Sequence, residues 1–456
     1  VPEGYIVGID VGTSKLCSTV ALREMSGAAR YVGHGSAPST GVRAGEVNDP
    51  DELGAAFKRA VEEARYLIGA PVQDIVVCMS GVRIEALERG GDLALNGGRA
   101  VEQVDVMRAI AGTRGTDPPG LHTIHRVVQR LALDGRQVDD PTGRSGRRLE
   151  VTMRDFAVPA QLVERLRRAA DIAGLRIHTL IPAGIAAATA GLLPEERKAG
   201  VALVDIGSAT TDIAVYVDDV PRFVGAFGLG GSHITSDIAG ILDVPPEEAE
   251  QLKRASGALD EADDEEELID WSPRTIAILQ RQARYKEVPP AAIRSIAAAR
   301  AIQIIDLLHD VLRGADAIGS LRAGVVLTGG TSQLRGIDSL ARAILGVPVR
   351  CGAVLPGDGF PSIADATATA SIGLVRYCAL RANAGPAGRS EARSAGATAI
   401  VHPVVMGMVS GRGRRDTIDV ISAEPYPSRR RESRDWGRAC RAWLREFIPA
   451  RNDDAD

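Results

Sequence analysis

Two stretches decide the fold: Tyr5-Ile-Val-Gly-Ile-Asp10-Val-Gly12-Thr-Ser-Lys15 and Val201-Ala-Leu-Val-Asp205-Ile-Gly207-Ser-Ala-Thr-Thr-Asp212. Each begins as a short apolar run that reads as a buried strand, and each ends on Asp-x-Gly, a tight-turn signal. A second strand follows each turn, Ser18–Leu22 in one case and Thr211–Tyr216 in the other, so both read as β-hairpins. They lie about 195 residues apart, which points to an internal duplication. A third turn follows the strand Gly324–Thr328, with Gly329-Gly330 expected to open a helix and Gln333 close behind.

Such turns suit an anion. Glycine lets backbone N–H groups approach closely, and successive amides form phosphate-binding nests. An aspartate at the strand end holds Mg²⁺ through water, and the ion bridges phosphate oxygens. One such turn alone is ordinary; three glycine turns after buried strands, two of them a duplicated Asp-x-Gly, suggest a polyphosphate clamp. The chain has no GxxxxGK[ST], which excludes a P-loop. It also has no strand-following GxGxxG, which argues against a Rossmann dinucleotide site.

Working outward, Asp51–Ile68 reads as an amphipathic helix, Ile75–Met79 as a strand ending at Ser80-Gly81, and residues 82–158 as an α+β insert of short alternating segments with a helix near Val104–Gly112. A helix over Pro159–Ala173, a strand Ile177–Ile181 and a small-residue helix Ala183–Leu193 complete the first half. Helices are expected over Ile234–Leu242, Pro246–Ser256 and Ala291–Leu312, interrupted by the acidic segment Asp260–Asp270, which reads as a solvated loop. Residues 382–433, rich in Gly, Ser, Pro, Arg and Ala, read as a flexible linker.

Composition narrows the function classes. The 456 residues are 45% hydrophobic and 25% charged, with a net charge of −5. That is ordinary for a soluble globular chain of two to four domains, and its slightly acidic balance disfavours nucleic acid as a partner. Five scattered cysteines without a CxxC pair, and seven scattered histidines, argue against a disulfide framework or a zinc site and fit a reducing compartment. No run of about 18 apolar residues exists to span a membrane. The start shows no signal-peptide pattern, and its lack of Met suggests trimming.

On these motifs the chain resembles the actin/hexokinase/DnaK-type ATPase superfamily. Within it the chain is similar to the FtsA family of bacterial cell-division actin homologues. Further carriers of that likeness are Gly231-Ser-His-Ile-Thr-Ser-Asp-Ile238, Glu250-x-x-Lys253-x-x-x-Gly257, Asp140-Pro-Thr-Gly-Arg-Ser-Gly146 and Arg43-Ala-Gly-Glu-Val-Asn-Asp49. The resemblance implies an α/β, two-lobed actin-like ATPase fold of duplicated ribonuclease-H-like domains. The first lobe would comprise 1–81, 159–193 and a closing helix 361–381, with the insert at 82–158. The second would comprise 194–228 and 311–360, with a peripheral helical subdomain 229–310.

The cofactors implied are ATP and Mg²⁺, held in the cleft between the lobes. Asp10 and Asp205 would order the ion and water as catalytic groups. Gly12, Thr13, Ser14 and Lys15 would meet the phosphates from one side, and Gly207, Ser208, Thr210, Asp212, Gly230, Gly231 and Ser232 from the other. Glu250 and Lys253 would reach ribose and base, and Gly329, Gly330 and Gln333 would line the adenosine. Taken alone, Glu250 and Lys253 read as an exposed i,i+3 helix pair, and His233 as either a nucleotide contact or a helix cap.

The sequence departs from the superfamily in two places. Ser208 and Ala209 stand where glycine is common. Leu180-Ile-Pro-Ala-Gly-Ile185 is apolar where relatives carry the Glu or Gln that orients the attacking water. Losing such a group costs about 10²–10⁴-fold, so slow hydrolysis is expected. The alternatives are a pilus-assembly-type actin-like adaptor and a sugar-kinase-like phosphotransferase.

Near the C-terminus, over 434–449, Trp436, Ala439, Cys440, Trp443, Leu444, Phe447 and Ile448 fall on one helical face, with Arg434, Arg438, Arg441 and Arg445 opposite. That pattern reads as a helix lying in an anionic membrane interface, followed by an acidic tail 450–456. The family resemblance implies a peripheral protein at the cytoplasmic face of the bacterial membrane, at the division site. Its partners would be the C-terminal peptide of FtsZ, other copies of itself in a filament, and later division proteins.

Overall fold

The computed structural model describes residues 4–24, 29–259, 276–279 and 285–383. The acidic segment, the linker and the C-terminal amphipathic stretch fall outside these residues. Among the described residues two compact units separate. One runs to Leu229 and adds Leu312–Ser332 and the chain from Val347 on; the other is Gly230–Val311 with Gln333–Gly346.

The first unit contains two five-stranded sheets of the same order. One runs Arg176–Pro182, Asp74–Met79, Tyr5–Val11, Lys15–Arg23, Ala29–Pro38. The other runs Val349–Cys351, Gly324–Thr328, Val201–Ile206, Thr211–Val217, Val220–Phe227. In each, the leading strand pairs parallel with one neighbour and antiparallel with its hairpin partner. The duplication read from the two Asp-x-Gly turns is therefore a duplication of whole sheets. The third strand of each, Ala29–Pro38 and Val220–Phe227, carries no clean alternation, and sequence patterning alone misses both.

Helices Pro50–Ile68 and Ala160–Ile172 cover one face of the first sheet, burying Leu53, Phe57, Val61 and Leu166 against Ile9, Leu16 and Ile75. Asp49 caps the former by accepting from the N–H groups of Asp51 and Glu52. The other face packs on Ala183–Gly191 and Thr369–Asn383, which share one core with residues of the second sheet such as Leu203, Ala214 and Val326. These two helices touch almost backbone to backbone. A Cβ on Gly373 would come 1.9 Å from the Ala186 carbonyl oxygen.

The insert is a four-stranded antiparallel sheet, ordered Glu85–Ala94, Arg148–Pro159, Leu121–Leu133, Arg136–Val138, with helix Gln103–Gly112 against it and a core of its own. The expected short segments are corrected here. Leu121–Leu133 and Arg148–Pro159 are strands of 13 and 12 residues. Register shifts at Thr152/Met153 and Phe156/Ala157 break the period-2 pattern that would have revealed their length. The insert also braces the second sheet: Gln129 Nε2 donates to the Pro221 carbonyl at 3.1 Å.

The second unit packs helices Gly231–Leu242, Pro246–Ser256 and Ile337–Leu345 with the first part of Pro290–Gly314 and a hairpin of Ile276–Leu279 with Tyr285–Val288. Ile234, Ile238, Leu252, Ile293 and Ile296 form its core. Asp237 and Arg300 join two of its helices by paired bonds of 2.6 and 2.9 Å. Among the described residues no helix is long and apolar enough to cross a membrane.

Candidate functional site

The first turn follows strand Tyr5–Val11, and Asp10 is its penultimate residue. On the flanking strands Asp10 is in register with Cys17 and Cys78. The Cys78 thiol donates to Asp10 Oδ1 at 3.3 Å. Burial pushes Asp10 up to about 6, with Cys78 and the Lys15 charge pulling the other way. Gly12 is required by close approach: a Cβ there would meet the Lys15 carbonyl oxygen at 2.7 Å. Thr13 and Ser14 make the turn, with Ser14 exposed, and Lys15 opens the next strand. Its ammonium donates to Thr367 Oγ1.

The second turn repeats this geometry with different neighbours. Asp205 is in register with Asp212 on one side and Thr328 on the other. Asp212 is buried and accepts a 2.7 Å hydrogen bond from the Gly81 N–H at the root of the insert. Burial pushes Asp212 up to about 6, against the Gly81 bond and a hydrogen bond from Thr210. Burial, then the charges of Asp10 and Asp212, push Asp205 well above the usual carboxylate range. The Gly207 N–H closes the turn on the Thr210 carbonyl at 2.9 Å, and Thr331 Oγ1 donates to the Gly207 carbonyl at 2.9 Å. Ser208 is partly exposed in this turn.

The third turn abuts the second. Gly329 has φ +86°, and a Cβ there would stand 2.2 Å from Asp205 Oδ1. The expected helix does not open at Gly330. Residues Gly330–Gln333 form a single 3₁₀ turn, and the α-helix starts at Ile337 after Gly336 at φ +84°. That left-handed residue separates the turn from the helix. Gly330 and Gln333 are exposed.

Gly230, Gly231, Ser232, Glu250 and Lys253 lie in the second unit, where a tight network ties Gly231, Glu250 and Lys253. Lys253 Nζ donates to Glu250 Oε2 (2.6 Å), Thr235 Oγ1 (2.9 Å) and the Gly231 carbonyl (3.2 Å). Lys253 is 9% exposed, so the reading of an exposed pair is corrected. The pair reaches from one helix to the start of another, and Thr235, quoted in the sequence only as part of the Gly231–Ile238 motif and not as a site residue, is its hub. His233 caps helix Gly231–Leu242, its Nδ1 accepting from the Gly230 N–H at 3.1 Å.

Asp10, Asp205 and Asp212 thus cluster with the Lys15 charge beside glycines 12, 207 and 329. The set suits a hydrated divalent cation carried by a polyanion. Carboxylates held above their usual pKa gain from a cation, and the glycines leave room that a Cβ would fill. Among the described residues no group of three or more His, Cys, Asp or Glu is arranged to hold a metal ion directly. Sequence reasoning missed Cys78, Thr328, Thr331 and the segment around Thr367, because each reaches the site through strand register or chain crossing.

Duplicated sheets of one order, each with an Asp-x-Gly turn after its leading strand, define an actin-like nucleotide-binding protein. Solved structures agree on the fold. The chain resembles the PilM–PilN type IV pilus biogenesis complex, with TM-score 0.53 and 19% identity over 84% of this chain and 99% of that one. It also resembles MreB 5 of Spiroplasma citri bound to AMPPNP, with TM-score 0.51 and 14% identity over 83% and 96%.

The family model "Cell division protein FtsA" matches residues 202–373, and that of the "SHS2 domain inserted in FTSA" matches residues 81–154. Cell division protein FtsA of Pseudomonas aeruginosa is 30% identical over 382 residues, covering 82% of this chain and 88% of that protein. FtsA of Escherichia coli K12 is 28% identical, covering 82% and 90%, and FtsA of Bacillus subtilis is 29% identical, covering 81% and 82%. The chain belongs to the FtsA family of cell-division proteins.

Proposed function

We propose that this chain is an ATP-binding, actin-like scaffold that polymerises and tethers the FtsZ ring to the cytoplasmic face of the cell membrane. The observation that carries the reading is the carboxylate cluster of Asp10, Asp205 and Asp212 beside Lys15 and the three glycine turns. In this reading Gly12, Thr13, Ser14, Lys15, Gly207, Ser208 and Thr210 bind the phosphates. Asp10 and Asp205 hold Mg²⁺ through water, and Gly329, Gly330 and Gln333 lie along the adenosine. Gly230, Gly231, Ser232, Glu250 and Lys253 complete the nucleotide contacts. Asp212, expected from the sequence among the phosphate contacts, serves in this reading to brace the second turn, accepting from the Gly81 N–H. A bound Mg²⁺ neutralises phosphate oxygens.

Hydrolysis is slow in this reading. Leu180, Ile181, Ala183 and Ile185 are all buried apolar residues, and none carries a side-chain acceptor for a water. The nucleotide then acts as a switch for assembly. Residues 229–310 take the FtsZ C-terminal peptide, and the insert 82–158 serves filament contacts and recruits later division proteins. One amphipathic helix at 434–449 binds lipid weakly, so a filament supplies attachment by avidity. The 382–433 linker spans on the order of 40 Å as a coil, which relaxes the geometry needed. Membership in the FtsA family supports this reading over a pilus adaptor or a sugar kinase.

Calorimetry tests the core: Mg·ATP is expected to bind, and the absence of heat overturns the proposal. Flotation with anionic vesicles tests the anchor. The full chain should float and a chain ending at Arg431 should not; equal flotation refutes the anchoring helix.

A further inference from the structure

Asp365–Thr369, read from the sequence only as part of a closing helix 361–381 that in fact begins at Thr369, converges on two of the three turns. Asp365 caps the 3₁₀ turn Ala366–Ala368, accepting from the Thr367 N–H at 2.8 Å. The Thr367 hydroxyl donates to Asp365 Oδ1 at 2.6 Å, and Lys15 Nζ donates to that hydroxyl oxygen at 2.5 Å. A hydroxyl has one proton, so the chain has one direction: ammonium to hydroxyl to carboxylate. His34 Nε2 stands 4.0 Å from Asp365 Oδ2.

The same segment holds the third turn. The Gly329 N–H donates to the Ala366 carbonyl at 3.3 Å, and Thr328 Oγ1 donates to Thr369 Oγ1 at 2.9 Å. A Cβ on Gly330 would approach Thr367 Cγ2 at 3.6 Å. Thr367 therefore lies beside both the first and the third turn. Lys15 is close enough for its charge to act on Asp10, Asp205 and Asp365.

We propose that Thr367, backed by Asp365, is a positioning residue that fixes the Lys15 ammonium for the terminal phosphates of a nucleoside di- or triphosphate. The proposal rests on the nucleotide reading above. A lysine is a point charge on a four-carbon stem with large rotamer freedom. Ordering that stem beforehand removes its entropy cost from the binding step. The benefit falls on ligands whose phosphates reach Lys15, and hence on ADP and ATP more than AMP.

Titration calorimetry of the full chain with AMP, ADP and ATP tests this. Thr367→Val should weaken ADP and ATP about tenfold and AMP less than about twofold, the scale of one charge-assisted hydrogen bond. Thr367→Ser, which keeps the hydroxyl, should restore ADP binding to within about threefold. Asp365→Asn should weaken ADP by about threefold. In a Lys15→Met background Thr367→Val should have no further effect. An equal loss for AMP, or a loss that persists without Lys15, would make Thr367 merely structural and overturn the proposal. So would unchanged ADP affinity in Thr367→Val. If the wild type binds neither ADP nor ATP, the nucleotide reading itself fails and carries this proposal with it. Wild-type binding with an indifferent Thr367→Val removes only the positioning role.

Discussion

The two halves of the molecule carry one hairpin twice, and the carboxylate in each keeps different company. Asp10 lies in register between Cys17 and Cys78, two neutral thiols. Asp205 lies between Asp212 and Thr328, so the matching row of the second sheet contains a second carboxylate. The backbone is the same, while the cross-strand neighbours set the charge. Asp10 is held at about 6 by burial, whereas Asp205 is pushed up by burial and by two like charges. The first hairpin instead brings the cation, Lys15. A duplicated fold has thus divided its electrostatics, with negative charge concentrated on the second turn and its counter-charge supplied by the first.

The largest effect should come from the residue that presses on the second row. Gly329→Ala combines φ +86° with a Cβ 2.2 Å from Asp205 Oδ1 and 2.6 Å from the Ile206 carbonyl oxygen. Strain and overlap together should cost about 3–4 kcal/mol of stability in denaturant unfolding. A loss below about 1 kcal/mol would show that this row is not tightly packed.

Next is the charge itself. The Asp212 pKa is about 6 folded against an ordinary 3.8. Its stabilising contribution is complete below that ordinary value and disappears as pH rises through about 6. Asp212→Asn keeps an acceptor for the Gly81 N–H and removes the charge. The unliganded variant should therefore gain about 2 kcal/mol at pH 7 and close to nothing at pH 4. Unfolding curves at the two pH values check this; an equal gain at both would place the effect outside titration.

The smallest effect compares the turns directly. A Cβ on Gly12 would meet the Lys15 carbonyl oxygen at 2.7 Å, and one on Gly207 the Thr210 carbonyl oxygen at 3.2 Å. Gly12→Ala should destabilise by about 1 kcal/mol more than Gly207→Ala. The reverse order in thermal unfolding would mean that the second turn is the tighter one.

The hairpins, the three glycine turns and most helices were legible in the sequence, because apolar runs, Asp-x-Gly signals and 3.6-residue periodicity are local. The edge strands Ala29–Pro38 and Val220–Phe227 were not, since mixed burial hides their period. The bulged insert strands were read as fragments for a related reason. Glu250 and Lys253 were found as a pair, but their burial through Thr235 required a second helix to be in place.

By itself the sequence determined which residues could turn tightly and present amides and carboxylates, because those properties belong to each residue and its nearest neighbours. Only the tertiary structure decided which side chains would share a row with each carboxylate, and it alone placed Thr367 against Lys15 across 352 positions of chain. Strand register and helix docking set those distances, and they depend on how whole elements bury their apolar faces together.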